Sequence, residues 1–122
     1  MRKSAVAAAK GLVDSRVESL AELWIREFED DVEAHDDALQ ERLEREFIVA
    51  FDEAASELTA EYGPPARVSQ EDEQVVPMGG TFRSAVWWIR DNELWLAAAH
   101  EDREVPFVLL MGCAYRQNGG DT

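Results

Sequence analysis

The chain is predicted to be an α+β protein, on two observations about the pattern of its apolar residues. In residues 1–62 these side chains recur at spacings of three and four, which is typical of helices, and in residues 66–115 they form short runs bounded by turn residues, which is typical of strands. Helices followed by strands indicate an α+β arrangement. We therefore expect long N-terminal helices packed on a C-terminal antiparallel sheet of three or four strands, connected as a meander.

Length and composition indicate one domain spanning residues 1–122. The chain is 46% hydrophobic and 31% charged, and a chain of this length buries roughly two-thirds of the surface that it exposes when unfolded. The only cysteine, Cys113, lies in an apolar run and is expected to be a small buried side chain. Residues 116–122 are expected to form a flexible tail.

The first helix is predicted to start at "SRVE", residues 15–18, which fits a capping box. One apolar stripe at helical spacing follows, formed by Val17, Leu20, Trp24 and Phe28. Gly11 weakens a helix by about 1 kcal/mol relative to alanine. It therefore stays open whether residues 4–12 form a separate turn or extend this helix backward, and helix is favoured on both sides of an irregularity.

The second helix is predicted to begin near Asp36 or Asp37 and to end at Tyr62. An aspartate at the N-terminus accepts hydrogen bonds from free backbone amides and suits the positive end of the helix dipole. Gly63 can take the left-handed conformation of a helix cap, and the two prolines that follow it cannot continue a helix. A helix of this length is roughly 39 Å long.

The second half of the chain is predicted to contain a meander with one short edge strand before it. The edge strand is expected within residues 66–80, and the three further strands in residues 81–90, 93–100 and 105–115. The last of these is apolar on both faces, which predicts a central strand that is covered on both sides.

The charge of the chain restricts its partners. Twelve basic and 26 acidic residues give a net charge of −14, which repels nucleic acids and anionic membranes and attracts basic proteins. An acidic surface with few lysines also suits a protein that works in high salt or is encoded by a GC-rich genome, and composition does not separate these explanations.

Two further patterns bear on localisation. No run approaches the roughly 18 consecutive apolar residues of a membrane span. The apolar stretch near the N-terminus is broken at Lys10 and Gly11, so it is too short and too polar for a secretion signal. A cytoplasmic protein with no membrane partner is therefore expected.

The densest charge lies between Glu27 and Glu46, where ten acids stand against Arg42 and Arg45. This segment is interpreted either as the solvated turn of a helix hairpin or as a docking surface for a strongly basic protein. The candidate partner-binding acids are Glu29, Asp30, Asp31, Glu33, Asp36, Asp37, Glu41 and Glu44. The residue three before His35 is Val32, so the Glu-x-x-His pair of a di-iron bundle is absent, and no glycine between Gly11 and Gly63 could supply the central turn of an EF-hand loop. No metal ligand and no cofactor is therefore assigned.

A second acidic segment, "HEDRE", occupies residues 100–104 at a predicted strand connection. A histidine beside carboxylates can act as a general base or bind metal, but a tight connection has the same composition. We expect a structural role for His100 and assign no catalytic residue. Glu101 and Asp102 are added to the candidate partner-binding residues.

The predicted strands also carry three tryptophans, Trp87, Trp88 and Trp95. Adjacent residues of a strand point to opposite faces, so Trp87 and Trp88 cannot both lie on the same side of the sheet. Core packing is the default interpretation. The alternative is that these side chains anchor a protein interface, where tryptophan is enriched.

The segment "YGPPARV", the tryptophan-rich meander that follows it and "HEDREVPFVLL" resemble, in architecture over most of the chain, the small bacterial immunity proteins that neutralise polymorphic or contact-dependent toxins. The resemblance implies a non-catalytic inhibitor, an antitoxin that is a monomer or weak dimer when free and that occludes the active site of a basic toxin or effector domain. The runner-up is an acidic secretion chaperone, which is normally a dimer with a C-terminal helix. A small enzyme using His100 and its neighbouring carboxylates is the third alternative.

Overall fold

The computed structural model describes residues 3–15, 19–70, 80–89, 92–102 and 104–115, which form three helices and five strands. In chain order the elements are α1 (Ala5–Ser15), β1 (Ser19–Arg26), α2 (Asp31–Ala34), α3 (Asp37–Tyr62), β2 (Arg67–Gln70), β3 (Thr81–Ile89), β4 (Asn92–Ala99) and β5 (Phe107–Tyr115). The α+β class predicted from the sequence is confirmed. The long helix, however, lies in the middle of the chain and not at its N-terminus.

The strands form one antiparallel sheet in the order β1-β5-β4-β3-β2. Strands β2 to β5 follow one another as the predicted meander, with β2 at one edge. The sheet has five strands, so the expected number of three or four is corrected. The additional strand is β1, which pairs with the free side of β5 and makes β5 an interior strand, as predicted.

Strand β1 overturns the prediction of a helix along the stripe that begins near Ser15, and residues 1–62 are therefore not all helical. The register between β1 and β5 shifts between Glu22 and Trp24. At this bulge the consecutive side chains Leu23 and Trp24 both pack against the helix-covered core. A bulge breaks the period of two that identifies a strand, which explains why the segment read as a helix.

The bounds of α3 are those predicted, because both ends are set by local chemistry. The Asp36 carboxylate accepts a hydrogen bond from the Leu39 amide at 3.1 Å. At the other end Gly63 has a φ of 91°, a value that favours glycine, and its amide donates to the Thr59 carbonyl at 2.8 Å. Each end of the helix thereby satisfies backbone groups that a helix leaves unpaired.

Helices α1 and α3 cover one face of the sheet and enclose the main core. Its largest buried side chains include Phe47 and Leu58 of α3 and Leu94, Leu96 and Met111 of the sheet. The Phe47 ring stacks on Trp24 with ring centroids 4.1 Å apart. Burial of each such side chain contributes roughly 1.5–3 kcal/mol.

On the opposite face of the sheet, Val86, Trp95 and Ala97 form a second, smaller cluster. The Trp95 ring lies directly over Gly112, where an added Cβ atom would come within 2.2 Å of the ring. On this face of β5 Leu110 is half-buried. The expectation that β5 is covered on both sides thus holds fully only for the face toward the helices.

Two sequence predictions lie outside the described residues. They are the capping box beyond Ser15 and the tail at residues 116–122. Within the described part, no helix is long and apolar enough to cross a membrane.

Candidate functional site

The two acidic segments found in the sequence lie side by side. The Nε2 atom of His35, at the end of α2, is 3.7 Å from the Glu104 carboxylate in the β4–β5 connection. We call the combined area the acidic surface. It comprises Glu29, Asp30, Asp31, Glu33, Asp36, Asp37, Glu41, Glu44, Glu101, Asp102 and Glu104, all of which are exposed except the half-buried Glu33.

Two members of the acidic surface cap helices. Asp30 accepts from the Glu33 amide at 2.9 Å at the start of α2, and Asp36 caps α3 in the same way. A capping carboxylate typically contributes about 1 kcal/mol. The predicted role of Asp36 as a cap is confirmed, while the cap at Asp30 was not expected because α2 was not predicted. The segment lies between β1 and α3, so it is not the turn of a helix hairpin.

A third carboxylate, Glu33, is held by two neighbours. The Nη1 and Nη2 atoms of Arg26 lie 3.2 and 3.4 Å from the two oxygens of the Glu33 carboxylate. The Glu29 amide donates to the same carboxylate at 2.9 Å. The hydrogen bond from the Glu29 amide, followed by that from Arg26, lowers the pKa of Glu33. This arrangement connects the end of β1 to α2 and fixes the segment between them.

Replacing Glu33 by glutamine is expected to lower the melting temperature in a pH-dependent way. Because the folded-state pKa of Glu33 is lowered, its stabilisation is complete above the ordinary value of 4.5 and is lost as the pH falls through the lower folded value. The melting temperatures of wild type and Glu33→Gln should therefore converge when both are measured from about pH 7 down to about pH 2. The control is Glu41→Gln, at an exposed site. A difference that stayed constant with pH would contradict the expectation.

His35 joins two parts of the acidic surface, and His100, next to Glu101, packs against the core. The Nδ1–H group of His35 donates to the Asp31 carbonyl at 2.8 Å, so its contact with Glu104 is an ion pair only when the ring carries both protons. The His100 ring stacks on Phe107 with centroids 3.8 Å apart. Across residues 3–15, 19–70, 80–89, 92–102 and 104–115, no group of three or more His, Cys, Asp or Glu side chains is arranged to hold a metal ion.

The structure does not bring the three tryptophans together. Trp87 is 1% exposed on the helix-covered face and its indole N–H donates to the Gly63 carbonyl at 3.0 Å, whereas Trp95 is 6% exposed over Gly112. Trp88 is 45% exposed. Trp88 pairs with Glu93 at one end of β4, and the acidic surface adjoins the other end of that strand. From the rise per residue of a strand, the two lie roughly 20 Å apart. A partner that contacts both must span that distance.

A second feature, which the sequence did not predict, is a groove of about 530 Å³ between α3 and β2. We call it the α3–β2 groove. Its walls include small or apolar side chains, namely Phe51, Ala55, Ser56, Thr59, Val68 and Ala85. The Arg83 guanidinium and the Asp52 carboxylate form an ion pair at 3.1 Å along it. The signal available in the sequence was the row of small residues on one side of α3, from Ala55 to Ala60.

No protein-family model, curated protein or solved structure matches this chain.

Proposed function

We propose that this protein is a non-catalytic inhibitor of the immunity or antitoxin type. In this proposal it acts in the cytoplasm, where it binds a basic toxin or effector domain and covers its active site. The observation that supports the proposal is the contact between His35 and Glu104, which places the eight carboxylates of residues 29–44 beside the three of residues 101–104. The two segments together hold 11 carboxylates and two basic residues, Arg42 and Arg103.

The charge of this area suits recognition of a cationic partner. Residues 29–44 contain one basic residue, Arg42, which lies 3.6 Å from Glu46 just outside the segment. The segment therefore carries seven more carboxylates than basic side chains. Such a surface steers a basic partner during diffusion and raises the association rate, with an effect that weakens as salt is added.

The backbone that carries the carboxylates is held by local bonds. The caps at Asp30 and Asp36 and the Arg26–Glu33 pair fix α2 between β1 and α3. Loops that are ordered before binding lose less conformational entropy when the complex forms. The acidic surface is therefore suited to tight binding without rearrangement.

The test begins with a candidate partner, a secreted protein with a basic C-terminal domain encoded beside this chain. Expression of that domain should arrest growth, and co-expression of this chain should restore it. The acidic surface is then tested with the double variant Asp31→Lys, Glu44→Lys, which spares the caps. Its association with the purified domain at low salt should be slower by about tenfold or more, with a smaller dependence on ionic strength.

The matched control is the double variant Asp14→Lys, Glu53→Lys, which changes the net charge equally at exposed positions of α1 and of the later part of α3. This control should associate within about threefold of wild type, because Glu53 lies roughly 13 Å further along α3 than Glu44, and charges separated by more than about 10 Å are largely screened. Equal slowing by both double variants would show that net charge, and not the acidic surface, controls association. Undiminished growth arrest on co-expression would reject the inhibitor function itself.

The α3–β2 groove favours a second candidate function, that of an acidic secretion chaperone. Such a protein holds an unfolded segment of its effector along a groove and protects it until export. It is normally a dimer, so light scattering distinguishes the two candidates. A stable dimer that binds an unfolded effector segment, and does not inhibit a folded toxin domain, would favour the chaperone.

A further inference from the structure

The α3–β2 groove lies between one side of α3 and the helix-covered face of the sheet. Asp52, Ser56 and Thr59 are spaced by four and three residues, so they share a side of the helix. Arg83 and Ala85 are alternate residues of β3 and share the face toward α3. Because most of the lining side chains are small, a volume of about 530 Å³ stays unfilled. Small-molecule sites typically have roughly 300–1,000 Å³.

Most of the groove is apolar and part of it is accessible. Phe51 is buried at its floor, and Ala55 and Pro65 are half-buried in its walls. Val68 lies opposite Ala85 of the core and is nevertheless 60% exposed. An apolar ring or chain placed in the groove would therefore leave water for contact with these side chains, which favours binding.

Arg83 supplies a polar group that the fold does not satisfy. Its Nη1 atom donates to the Asp52 carboxylate at 3.1 Å, and its side chain is 24% exposed. The Nε atom is buried, and within the described part of the chain no acceptor lies in hydrogen-bond reach of it. A buried donor without an acceptor destabilises a fold, and a ligand oxygen that accepted its hydrogen bond would remove that cost.

The charges in the groove favour an uncharged ligand. Asp52 and Arg83 are its two charged lining residues among those described, and they balance each other. An anion bound at Arg83 would lie close to the Asp52 carboxylate, and the net charge of −14 opposes its approach. A cation would be repelled by Arg83 in the same way. A carbonyl oxygen accepts a hydrogen bond without carrying a charge.

We infer that the α3–β2 groove is a binding site for an uncharged amphipathic small molecule. The apolar ring or chain of the ligand lies against Phe51, Ala55 and Val68, and its carbonyl oxygen accepts from the Nε–H group of Arg83. Asp52 is a positioning residue that holds the guanidinium by its other end. The inference goes beyond the proposed function, because this site is separate from the acidic surface and takes a ligand of another class.

The probe for this inference is prodan, an uncharged naphthalene ketone whose fluorescence increases in apolar surroundings. Two analogues compete with it. In one a CH₂ group replaces the ketone oxygen, which keeps the shape and removes the acceptor. In the other a carboxylate replaces the propionyl group. In the wild-type protein the ketone should bind about tenfold or more tightly than the CH₂ analogue, because a hydrogen bond to a charged group is strong. The carboxylate should bind more weakly than the ketone.

The donor is tested with Arg83→Met, whose matched control is Arg67→Met. Arg67 is exposed and lies opposite Val86 on the other face of the sheet, so both variants lose one positive charge. In Arg83→Met the preference for the ketone over the CH₂ analogue should fall to within about twofold. Arg67→Met should keep the preference of the wild type. Thermal melting checks that both variants are folded.

The location of the site is tested with Ser56→Trp, which fills the groove at an exposed position without changing charge. Its matched control is Ala7→Trp, at an exposed position of α1. Ser56→Trp should weaken prodan binding by about tenfold, while Ala7→Trp leaves it within about twofold. This pair of variants keeps the test independent of any effect of Arg83→Met on folding.

Four outcomes would overturn the inference. They are a failure of prodan to bind the wild-type protein, undiminished binding by Ser56→Trp, an unchanged preference for the ketone in Arg83→Met, and tighter binding of the carboxylate than of the ketone. Association with a basic toxin domain depends on the acidic surface and is measured separately. None of these four outcomes therefore bears on the proposed function.

Discussion

Replacing Phe47 by alanine is expected to lower the free energy of unfolding by about 3–5 kcal/mol. Phe47 is fully buried at the centre of α3, where its ring stacks on Trp24 and lies 5.5 Å from the Phe107 ring. The truncation removes the aromatic contacts to two strands, β1 and β5. It also leaves a cavity that neighbouring side chains of a packed core fill only in part.

The matched control for this prediction is Val49→Ala, two residues further along the same helix. Val49 is 55% exposed, so its truncation should change the free energy of unfolding by no more than about 0.5 kcal/mol. Urea denaturation followed by tryptophan fluorescence measures both variants. Similar losses for the two variants would mean that Phe47 is not part of a packed core in solution.

Replacing Gly80 by alanine is expected to have the second-largest effect, a loss of about 2–5 kcal/mol. Gly80 has a φ of 70°, which disfavours side chains, and an added Cβ atom would come within 2.3 Å of the Glu101 Cα atom. The obstructing group is backbone, which cannot rotate away as a side chain can. The Gly80 carbonyl also accepts from the His100 amide at 2.9 Å, so the two segments cannot separate without losing that bond.

Replacing Gly11 by alanine is expected to change the stability in the opposite direction from Gly80→Ala. Gly11 lies inside α1 with no atom near the added Cβ position, so alanine should stabilise the protein by about 0.5–1 kcal/mol. Differential scanning calorimetry should therefore show melting temperatures that move in opposite directions. If both substitutions were neutral, the close approach between Gly80 and Glu101 would not exist in solution.

Elements of the fold were predicted from the sequence where the residues that determine them lie close together in the chain, and were missed where those residues lie far apart. The bounds of α3 were predicted because the cap at Asp36, the apolar stripe and Gly63 all lie within the helix or next to it. Strand β1 was not, since its pairing with β5 is decided about 90 residues later in the chain and the bulge at Leu23 hides its alternation. Tertiary pairing overrides a local helical period in such a case.

For the candidate site, the residues were predicted from the sequence but their arrangement in space was not. Its acids were recognisable as two charged segments, but their contact through His35 and Glu104 depends on where the β4–β5 connection meets α2. The three tryptophans shared a composition signal and proved to have three environments, because the face and the register of a strand residue decide its exposure. The α3–β2 groove depends on how far a helix is displaced across a sheet, which no local pattern encodes.

The pairing of β1 with β5 has a consequence for synthesis of the protein in the cell. Ser19 is paired with Cys113, which is 94 residues later in the chain. At a translation rate of about 5–20 residues per second, roughly 5–20 s pass between the synthesis of β1 and that of its partner strand β5. During that interval α1 and α3 can form locally, but Leu20, Trp24 and Ile25 stay unpaired on the nascent chain. Strand β1 is synthesised before the other strands, but it is among the last to pair in the sheet.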